Sequence, residues 1–374
     1  MVEGHYDPLV KRFDRRGMLR LMGGTTALAL GSGGAGRWAP LVAAQEATPE
    51  GVAIDLETLS VDTFYVEPSQ EFADAQWIFG FSNASETNTW RTALREAIEE
   101  GAGKYPNVEL RITDANDSPA KQVSDLEDLL ANGANGLIIG AATTDVANSI
   151  LERTQQEGIP VIIVDRLVTS DLYTTFVAGD NHFMSTTCLG HLCELLGGQG
   201  KIAIVEGIPG AGPAVERNAG YDEILAQYPD IDVVARQAGD WGRASGQRVI
   251  ENVITANRDV NGIHFDGGEM ALGGIQALRA AGITDDDMKA GRPFLTGQDN
   301  YNGWLKMINE GVGKFTVLYP PRVHGWVSIQ SLVKALMGEE LPKTTSLRPY
   351  MAEVTPENAS AFYAADQPDD FWSL

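Results

Sequence analysis

From residue 76 onward, short apolar runs alternate with longer stretches that carry apolar residues at three- and four-residue spacing. Short apolar runs are typical of buried strands, and the wider spacing is typical of amphipathic helices. Such alternation indicates parallel sheets that helices cover on both faces. The runs predict strands at Trp77–Phe81, Val108–Ile112, Gly136–Ile139, Val161–Val164, Thr175–Ala178, Lys201–Val205, Val233–Arg236, Gly262–Phe265, Pro293–Thr296 and Phe315–Leu318.

One helix illustrates how local signals set the ends of an element. The Ser118 side chain can accept a hydrogen bond from a free backbone N–H of the first helical turn. Pro119 suits that turn because its missing N–H would have no partner there. An apolar stripe follows, and Asn132-Gly133 closes it. These signals predict a helix over Pro119–Ala131.

The predicted strands are too many for one compact doubly wound domain. The sequence therefore predicts an α/β fold with two doubly wound parallel-sheet lobes. In open sheets of this kind, ligands bind beyond the carboxyl ends of the strands. The residues that directly follow each strand are therefore the candidates for a functional site.

The first 44 residues differ from the rest of the chain. A basic head precedes an apolar, small-residue run at Leu21–Gly36, which is the architecture of a secretory signal. Within the head, Asp14–Arg20 resembles the twin-arginine export motif, with Asp14, Met18 and Arg20 where Ser or Thr, Phe and Lys are usual. We expect export to the periplasm by this route, cleavage near Ala44-Gln45, and an acidic leader over residues 45–75.

Charge and spacing exclude several classes of function. The 374 residues include 28 Lys and Arg against 51 Asp and Glu, a net charge of −23, and such a surface repels phosphate backbones. We therefore expect no nucleic-acid partner. Cys188 and Cys193 face different directions on one predicted helix, so we expect no disulfide between them. The histidines lack metal-ligand spacing and Gly207–Gly212 lacks dinucleotide spacing, so we expect neither metal nor cofactor.

The residues after the predicted strands combine carboxylates, amides, guanidinium groups and indoles. No Ser-His-Asp or Cys-His set recurs among them. Sugar hydroxyls can donate to carboxylates and accept from Arg or amide groups, and a sugar's C–H face can pack on an indole. The set therefore suits a neutral monosaccharide or polyol. Its members are Ser82, Asn83, Glu86, Trp90, Arg91, Asp165, Arg166, Asn181, Arg217, Trp241, Asp266, Asp299 and Tyr319.

Five motifs occur along the chain in a fixed order: Ile159–Arg166, Ala178–Asn181, Glu206–Arg217, Asp240-Trp241 and Glu269–Gly273. In this order they resemble the periplasmic substrate-binding proteins of sugar ABC transporters, in the ribose- and galactose-binding group. The resemblance covers about residues 76–351. The stretch from Gly80 to Arg91 is similar to the galactofuranose-type branch, where Trp and Arg line the site.

This resemblance implies a topology of two lobes that are linked by three crossings, near Gly179, Tyr319 and Arg348. The N-terminal lobe would comprise residues 76–179 and 320–348, and the C-terminal lobe residues 180–319 and 349–374. The family's sugar contacts correspond here to Asp165, Arg166, Arg217, Trp241 and Asp299.

The resemblance also implies a function: a monomeric, non-enzymatic periplasmic receptor whose lobes close on the ligand and which delivers it to a membrane ABC permease. Asp266 stands where ribose binders carry an Asn, and Tyr319 stands where an amide is common. The identity of the sugar is therefore open.

Three other functions are compatible with parts of the pattern. An enzyme that processes sugars or nucleotides would use Asp165 or Asp299 as general base, but no nucleophile and base stand at matched spacing. A sugar-responsive repressor needs a helix-turn-helix where the export signal lies. A chemoreceptor-linked sugar sensor would use the same binding site, so the sequence does not separate it from a transport receptor.

Overall fold

The computed structural model describes residues 56–374; the predicted export signal and the start of the leader lie outside this range. The strands are β1 (Trp77–Asn83), β2 (Val108–Asp114), β3 (Gly136–Ile139), β4 (Val161–Val164), β5 (Thr175–Ala178), β6 (Gln199–Glu206), β7 (Asp230–Ala238), β8 (Gly262–Phe265), β9 (Phe294–Gly297), β10 (Thr316–Val317), β11 (Thr344–Ser346) and β12 (Glu353–Val354). The helices are α1 (Gln70–Asp74), α2 (Thr89–Ala102), α3 (Pro119–Ala131), α4 (Asn148–Glu157), α5 (Asn181–Leu195), α6 (Gly212–Leu225), α7 (Arg243–Ala256), α8 (Gly268–Ala280), α9 (Asp285–Lys289), α10 (Asn302–Asn309) and α11 (Pro321–Leu336).

The strands form two parallel sheets, which confirms the predicted fold class. The first sheet has the order β11-β5-β4-β3-β1-β2, and the second has the order β7-β6-β8-β9. A separate ladder pairs β10 with β12 in antiparallel fashion. We call the first sheet with α2–α4 and α11 the first lobe, and the second sheet with α5–α10 the second lobe. The exact residue boundaries of the two domains stay a prediction.

The chain passes between the lobes at three places. It leaves the first sheet after β5, returns to it through α11 and β11, and leaves it again before β12. Helix α11 packs against α2 on one face of the first sheet. The three passages lie side by side, since the Gly179 N–H donates to His324 Nε2 at 3.3 Å and the Asp180 N–H donates to Met351 Sδ at 3.1 Å.

Local signals account for the ends of several helices. The side chain of Ser118 accepts the Lys121 N–H, so α3 begins and ends where the sequence predicts. Asn88 caps α2 through the Arg91 N–H, and Asp180 caps α5 through the Phe183 N–H. Strands β3 and β4 are buried along their whole length, as expected of parallel strands with helices on both faces.

The two late strands, β11 and β12, are not among the strands that the sequence predicts. Strand β11 is polar and half exposed, and it pairs with β5 at the edge of the first sheet. Strand β12 has two residues, and its partner β10 is shorter than the predicted Phe315–Leu318. Each of these strands is defined by pairing with a strand distant in sequence, and neither contains an apolar run that would predict it.

The described part of the leader, residues 56–75, lies against the first lobe. Its buried side chains include Phe64, whose ring stacks on Trp326 of α11 at 5.7 Å, and Phe72, whose ring stacks on Trp77 at 5.1 Å. The apolar residues are irregularly spaced along short helical turns, which explains why no periodicity is visible in the sequence.

Within residues 56–374, none of the helices has the length and apolar character that a membrane crossing requires. Cys188 and Cys193 of α5 are both buried and form no disulfide, as the sequence predicts.

Candidate functional site

A cleft of about 540 Å³ lies between the ends of the strands of the two lobes. The first lobe, the second lobe, the crossing after β10 and the C-terminal end of the chain all contribute to its walls. The lining residues are Asn88, Trp90, Arg91, Asp165, Arg166, Pro213, Arg217, Trp241, Asp266, Gly267, Glu269, Asp299, Tyr319 and Trp372.

The first-lobe wall is built around Asp165, the residue directly after β4. Its backbone has a φ of +64°, which turns the chain sharply out of the strand. One carboxylate oxygen accepts a hydrogen bond from Arg91 Nη2 at 2.7 Å, and the other accepts one from the Tyr319 hydroxyl at 3.1 Å. Asp165 therefore joins the start of α2 to the crossing after β10.

Two guanidinium groups in this wall have unused donors. Arg91 Nη1 and Arg166 Nε are buried and have no hydrogen-bond partner among the described residues. Burial, together with the neighbouring Arg91, lowers the pKa of Arg166 to about 10. Buried donors normally find partners, so this wall holds hydrogen-bonding capacity that the protein itself does not use.

The second-lobe wall is built around Asp266, which follows β8 and is fully buried. Its Oδ1 accepts from the Tyr221 hydroxyl at 2.9 Å and from Arg217 Nη1 at 3.2 Å. Its Oδ2 accepts from the Gly207 N–H at 2.8 Å and from Trp241 Nε1 at 3.1 Å. Burial raises the pKa of Asp266, and the Arg217 guanidinium opposes that shift. Both oxygens of this carboxylate are thus occupied by protein donors.

The same network fixes the two indoles that line the cleft. Trp241 follows β7 with a φ of +54°, and its ring lies so close to Gly207 that a Cβ at position 207 would collide with it. The Arg217 guanidinium lies 5.7 Å from the centre of the Trp241 ring. Trp90 Nε1 donates to the Tyr319 carbonyl at 3.0 Å, which holds its ring beside the crossing.

Asp299 follows β9 and presents a partly exposed carboxylate to the cleft. Its two oxygens accept the backbone N–H groups of Tyr301 and Gly268, each at 3.0 Å. Desolvation nevertheless raises the pKa of Asp299 to about 7, because the two N–H groups and the Arg217 charge offset it only in part.

Four of the predicted site residues do not line the cleft. Ser82 and Asn83 are buried within β1, where Ser82 accepts from Gln122 Nε2 at 3.2 Å. Glu86 pairs with Arg95 at 2.9 Å on the outside of α2. Asn181 lies behind the wall, and its Oδ1 accepts from Arg217 Nε at 2.9 Å. Asn181 therefore positions a lining residue.

The remaining predicted residues are brought together in the cleft: Trp90, Arg91, Asp165, Arg166, Arg217, Trp241, Asp266, Asp299 and Tyr319. Their part in ligand binding stays a prediction. The prediction omits Asn88, Pro213, Gly267, Glu269 and Trp372. Asn88, Pro213, Gly267 and Glu269 lie next to predicted residues or inside the five motifs and the Gly80–Arg91 stretch. A prediction that included every residue of these segments and their immediate neighbours would have contained them. Trp372 has no such signal, because it lies far beyond the last predicted strand.

The donor set does not resemble a metal centre. Within the described part of the chain, His, Cys, Asp and Glu form no group of three or more that is suited to hold a metal ion. The cleft instead offers guanidinium donors, carboxylate acceptors and aromatic faces, which together suit recognition by hydrogen bonding and packing.

The sequence profile of the periplasmic binding protein domain matches residues 79–340. The chain belongs to this family. It is 28% identical over 282 residues to the ribose import binding protein RbsB of Bacillus subtilis (strain 168), which covers 75% of this chain and 89% of that protein. It is 26% identical over 255 residues to the galactofuranose-binding protein YtfQ of Escherichia coli (strain K12), which covers 66% of this chain and 78% of that protein.

Among solved structures, this periplasmic binding protein resembles an ABC transporter solute binding protein from Bacillus halodurans C-125 with bound myo-inositol. The TM-score is 0.70 at 26% identity, and the match covers 76% of this chain and 96% of that one. The family and these relatives are solute-binding proteins. The chain is therefore a ligand-binding receptor and not an enzyme.

Proposed function

We propose that this receptor binds one neutral monosaccharide or polyol in its cleft and delivers it to a membrane ABC permease. The observation that carries the proposal is a pair of guanidinium donors, Arg91 Nη1 and Arg166 Nε, which have no partner within residues 56–374 and lie in a cleft that also holds indole faces. Hydroxyl oxygens can accept from these donors, and ring C–H groups can pack on Trp90 and Trp241. Three relatives whose names or bound ligands are ribose, galactofuranose and myo-inositol support this ligand class.

The charges in the cleft favour a neutral ligand over a phosphorylated or acidic one. The three lining arginines face four lining carboxylates, Asp165, Asp266, Glu269 and Asp299. Arg91 already pairs with Asp165, and Arg217 already pairs with Asp266. An anion would gain little from Arg91 and Arg217, whose charges these carboxylates balance, and it would meet the carboxyl groups of Glu269 and Asp299.

We also propose that the lobes close on the ligand about the three crossings. The crossings contact one another: the Gly179 N–H donates to His324 Nε2 at 3.3 Å, and the Tyr319 hydroxyl lies within hydrogen-bond distance of both Asp165 and Asn181. A ligand that contacts both walls stabilises the closed arrangement and shifts the population toward it. Small-angle scattering with and without ligand tests the closure.

Two further parts of the proposal rest on other grounds. The twin-arginine-like segment Asp14–Arg20 supports export by that route, and fractionation of cells that carry Arg15→Lys and Arg16→Lys tests it. Action as a monomer follows from the family resemblance, and analytical ultracentrifugation tests it.

The central test is a thermal-shift screen of the exported protein against monosaccharides, polyols and nucleotides, which includes D-ribose, D-galactose, L-arabinose and myo-inositol. A ligand at a concentration of about 100 times its dissociation constant stabilises the protein by about 2.7 kcal/mol. This stabilisation raises the Tm by several degrees. We expect a shift with one or two sugars or polyols and no consumption of the ligand. A shift with nucleotides alone would contradict the proposal.

A further inference from the structure

The C-terminal end of the chain lies outside the part that matches the family profile, which ends at residue 340. We call residues 364–374 the C-terminal strap. It is bound to the start of α10 in the second lobe. The Asn302 N–H donates to the Phe371 carbonyl at 3.1 Å, and the Gly303 N–H donates to the Asp369 carbonyl at 2.9 Å. These N–H groups belong to the first turn of the helix and have no partner within it, so the strap satisfies them.

The side chain of Asn302 strengthens this attachment. Its Nδ2 donates to the carbonyls of Ala364, Gln367 and Pro368, and its Oδ1 accepts the Ala364 N–H at 3.0 Å. One side chain and two backbone groups of the second lobe therefore fix most of the strap. We therefore expect the strap to move together with the second lobe.

Only the end of the strap reaches the first lobe. Trp372 Nε1 donates to Thr89 Oγ1 at 3.0 Å, and the Trp372 carbonyl accepts from Arg322 Nε at 2.8 Å. Thr89 lies at the start of α2 and Arg322 at the start of α11. The Thr89 hydroxyl in turn donates to Glu269 of the second lobe at 2.5 Å. Trp372, Thr89 and Glu269 thus form a hydrogen-bond chain that joins the two lobes.

Trp372 also separates two cavities. It lines the ligand cleft, and it lines a second groove of about 590 Å³ between the strap and the first lobe. Phe371, Arg322 and Thr89 line this groove but not the cleft. The indole is 3% exposed, so it fills the boundary between the two spaces. Trp372 is therefore a wall that the groove and the cleft share.

We propose that the C-terminal strap is a movable wall of the ligand site, and that Trp372 must leave Thr89 before a ligand can enter or leave the cleft. The assignment of a sugar or polyol as the ligand rests on the proposed function. The hydrogen-bond chain Trp372–Thr89–Glu269, which we call the latch, does not rest on it, because all of its contacts join groups of the protein itself. In this receptor the indole of Trp372 would close over the ligand and exclude substituents that extend toward the groove.

The latch is tested first without ligand, by hydrogen exchange in the peptide that covers residues 86–92. This peptide includes the Thr89 N–H, which donates to Glu269. Because one hydrogen bond typically contributes about threefold to tenfold to an opening equilibrium, Trp372→Ala should speed exchange there by that factor. Phe371→Ala is the matched control: it removes an aromatic side chain from the same strap, together with its contact to the Arg322 guanidinium, but it keeps the Trp372–Thr89–Glu269 hydrogen bonds and the backbone bond to Asn302. Exchange in Trp372→Ala equal to that of the wild type would overturn the proposal.

A second measurement distinguishes a gate from a merely structural residue. Stopped-flow fluorescence with D-ribose and myo-inositol as probes should show that both the association and dissociation rates rise in Trp372→Ala, because the path opens in both directions. Phe371→Ala should leave both rates within about twofold of the wild type. A change in the dissociation rate alone would overturn the gate.

Two milder variants keep the test decisive if Trp372→Ala does not fold. Trp372→Phe retains a ring but loses the indole N–H, and Thr89→Val loses the hydroxyl while preserving its shape. Both should speed exchange at residues 86–92, and unchanged exchange in both would also overturn the latch. If neither probe binds the wild type, the proposed function fails for those ligands, while hydrogen exchange still decides whether the latch exists.

Discussion

The two walls of the cleft use their central carboxylates differently. In the first lobe, Asp165 accepts two hydrogen bonds from side chains, and the neighbouring Arg91 and Arg166 each retain a donor without a partner among the described residues. In the second lobe, Asp266 accepts four hydrogen bonds and has no oxygen left for a ligand to engage at low cost. The first-lobe wall has spare donors, whereas the central carboxylate of the second-lobe wall is fully occupied by protein donors.

This difference indicates a division of labour between the lobes. A buried carboxylate that accepts four protein hydrogen bonds is held rigidly, because breaking any one bond leaves a buried group unpaired. The second-lobe wall therefore provides a preorganised surface, on which Trp241 and Arg217 are held in fixed positions. The unsatisfied donors of the first lobe gain most when a ligand hydroxyl reaches them. Selectivity for hydroxyl positions should reside mainly in the first lobe.

The largest expected effect on stability comes from replacing Asp266, whose carboxylate accepts four hydrogen bonds. Asp266→Asn removes the charge that faces Arg217 and places an amide N–H₂ among four donors. Removal of one partner of a buried ion pair typically costs about 3 to 5 kcal/mol, so the free energy of unfolding should fall by that amount. Asp165→Asn is the matched comparison: it also breaks a buried ion pair, with Arg91, but we expect a loss near the lower end of that range, about 3 kcal/mol, because two hydrogen bonds and not four depend on Asp165. Urea denaturation measures both.

Equal losses of stability in the two variants would remove the distinction between the walls. A larger loss in Asp165→Asn would reverse it. Both variants should weaken ligand binding, so binding alone does not discriminate between them.

A smaller effect tests the spare donors directly. Arg166→Lys keeps the positive charge but loses the planar guanidinium group and its Nε–H. Since a hydrogen bond from a charged group to a ligand contributes about 1.5 to 3 kcal/mol, affinity for the sugar should fall by about tenfold to a hundredfold. The free energy of unfolding should change by less than about 1 kcal/mol, because Nε has no partner among the described residues and the bond lost from Nη1, to the Ala141 carbonyl, is long at 3.5 Å. Isothermal titration calorimetry and urea denaturation separate the two quantities.

Arg153→Lys provides the control, because Arg153 forms an exposed ion pair with Glu157 on α4. Such pairs contribute little, so neither affinity nor stability should change measurably. Loss of stability without loss of affinity in Arg166→Lys would show that Arg166 supports the fold and not the ligand.

The sequence predicts the first-lobe and second-lobe strands well because their signals are local. Strands β3, β4, β5 and β8 have the predicted bounds, and the residues that follow β4, β8 and β9 are those that reach the cleft. The errors have a physical origin. Strand β1 continues through Asn83, past its predicted end, so Ser82 and Asn83 remain inside the sheet.

Long-range placement explains what the sequence does not reveal. Thr89 and Trp372 are 283 residues apart, and no periodicity or motif relates them. The number of donors that surround Asp266 also depends on three segments meeting in space, since Gly207, Tyr221 and Trp241 follow or precede different strands. The difference between the two walls is therefore visible only in the structure.

The smallest effect concerns Asp299, which lies in the second-lobe wall but lacks the cationic partner that Asp266 has. Its pKa of about 7 lies above the ordinary value for an unfolded Asp, near 3.9. The folded protein therefore holds this proton more tightly than the unfolded chain does. The stability that results is present below about pH 4 and is lost as the pH rises through 7.

The difference in unfolding free energy between the wild type and Asp299→Asn isolates this carboxyl, because the buried histidines titrate equally in both proteins. From pH 6.5 to pH 7.5 the difference should decrease by at most about 0.7 kcal/mol, since solvent in the cleft reaches part of the carboxyl and limits the shift. Urea denaturation at half-unit pH steps measures it. If the unfolding free energies of the two proteins change in parallel with pH, Asp299 is already ionised at pH 6.5. The donors of the second-lobe wall would then stabilise the ionised form of Asp299 as well as that of Asp266.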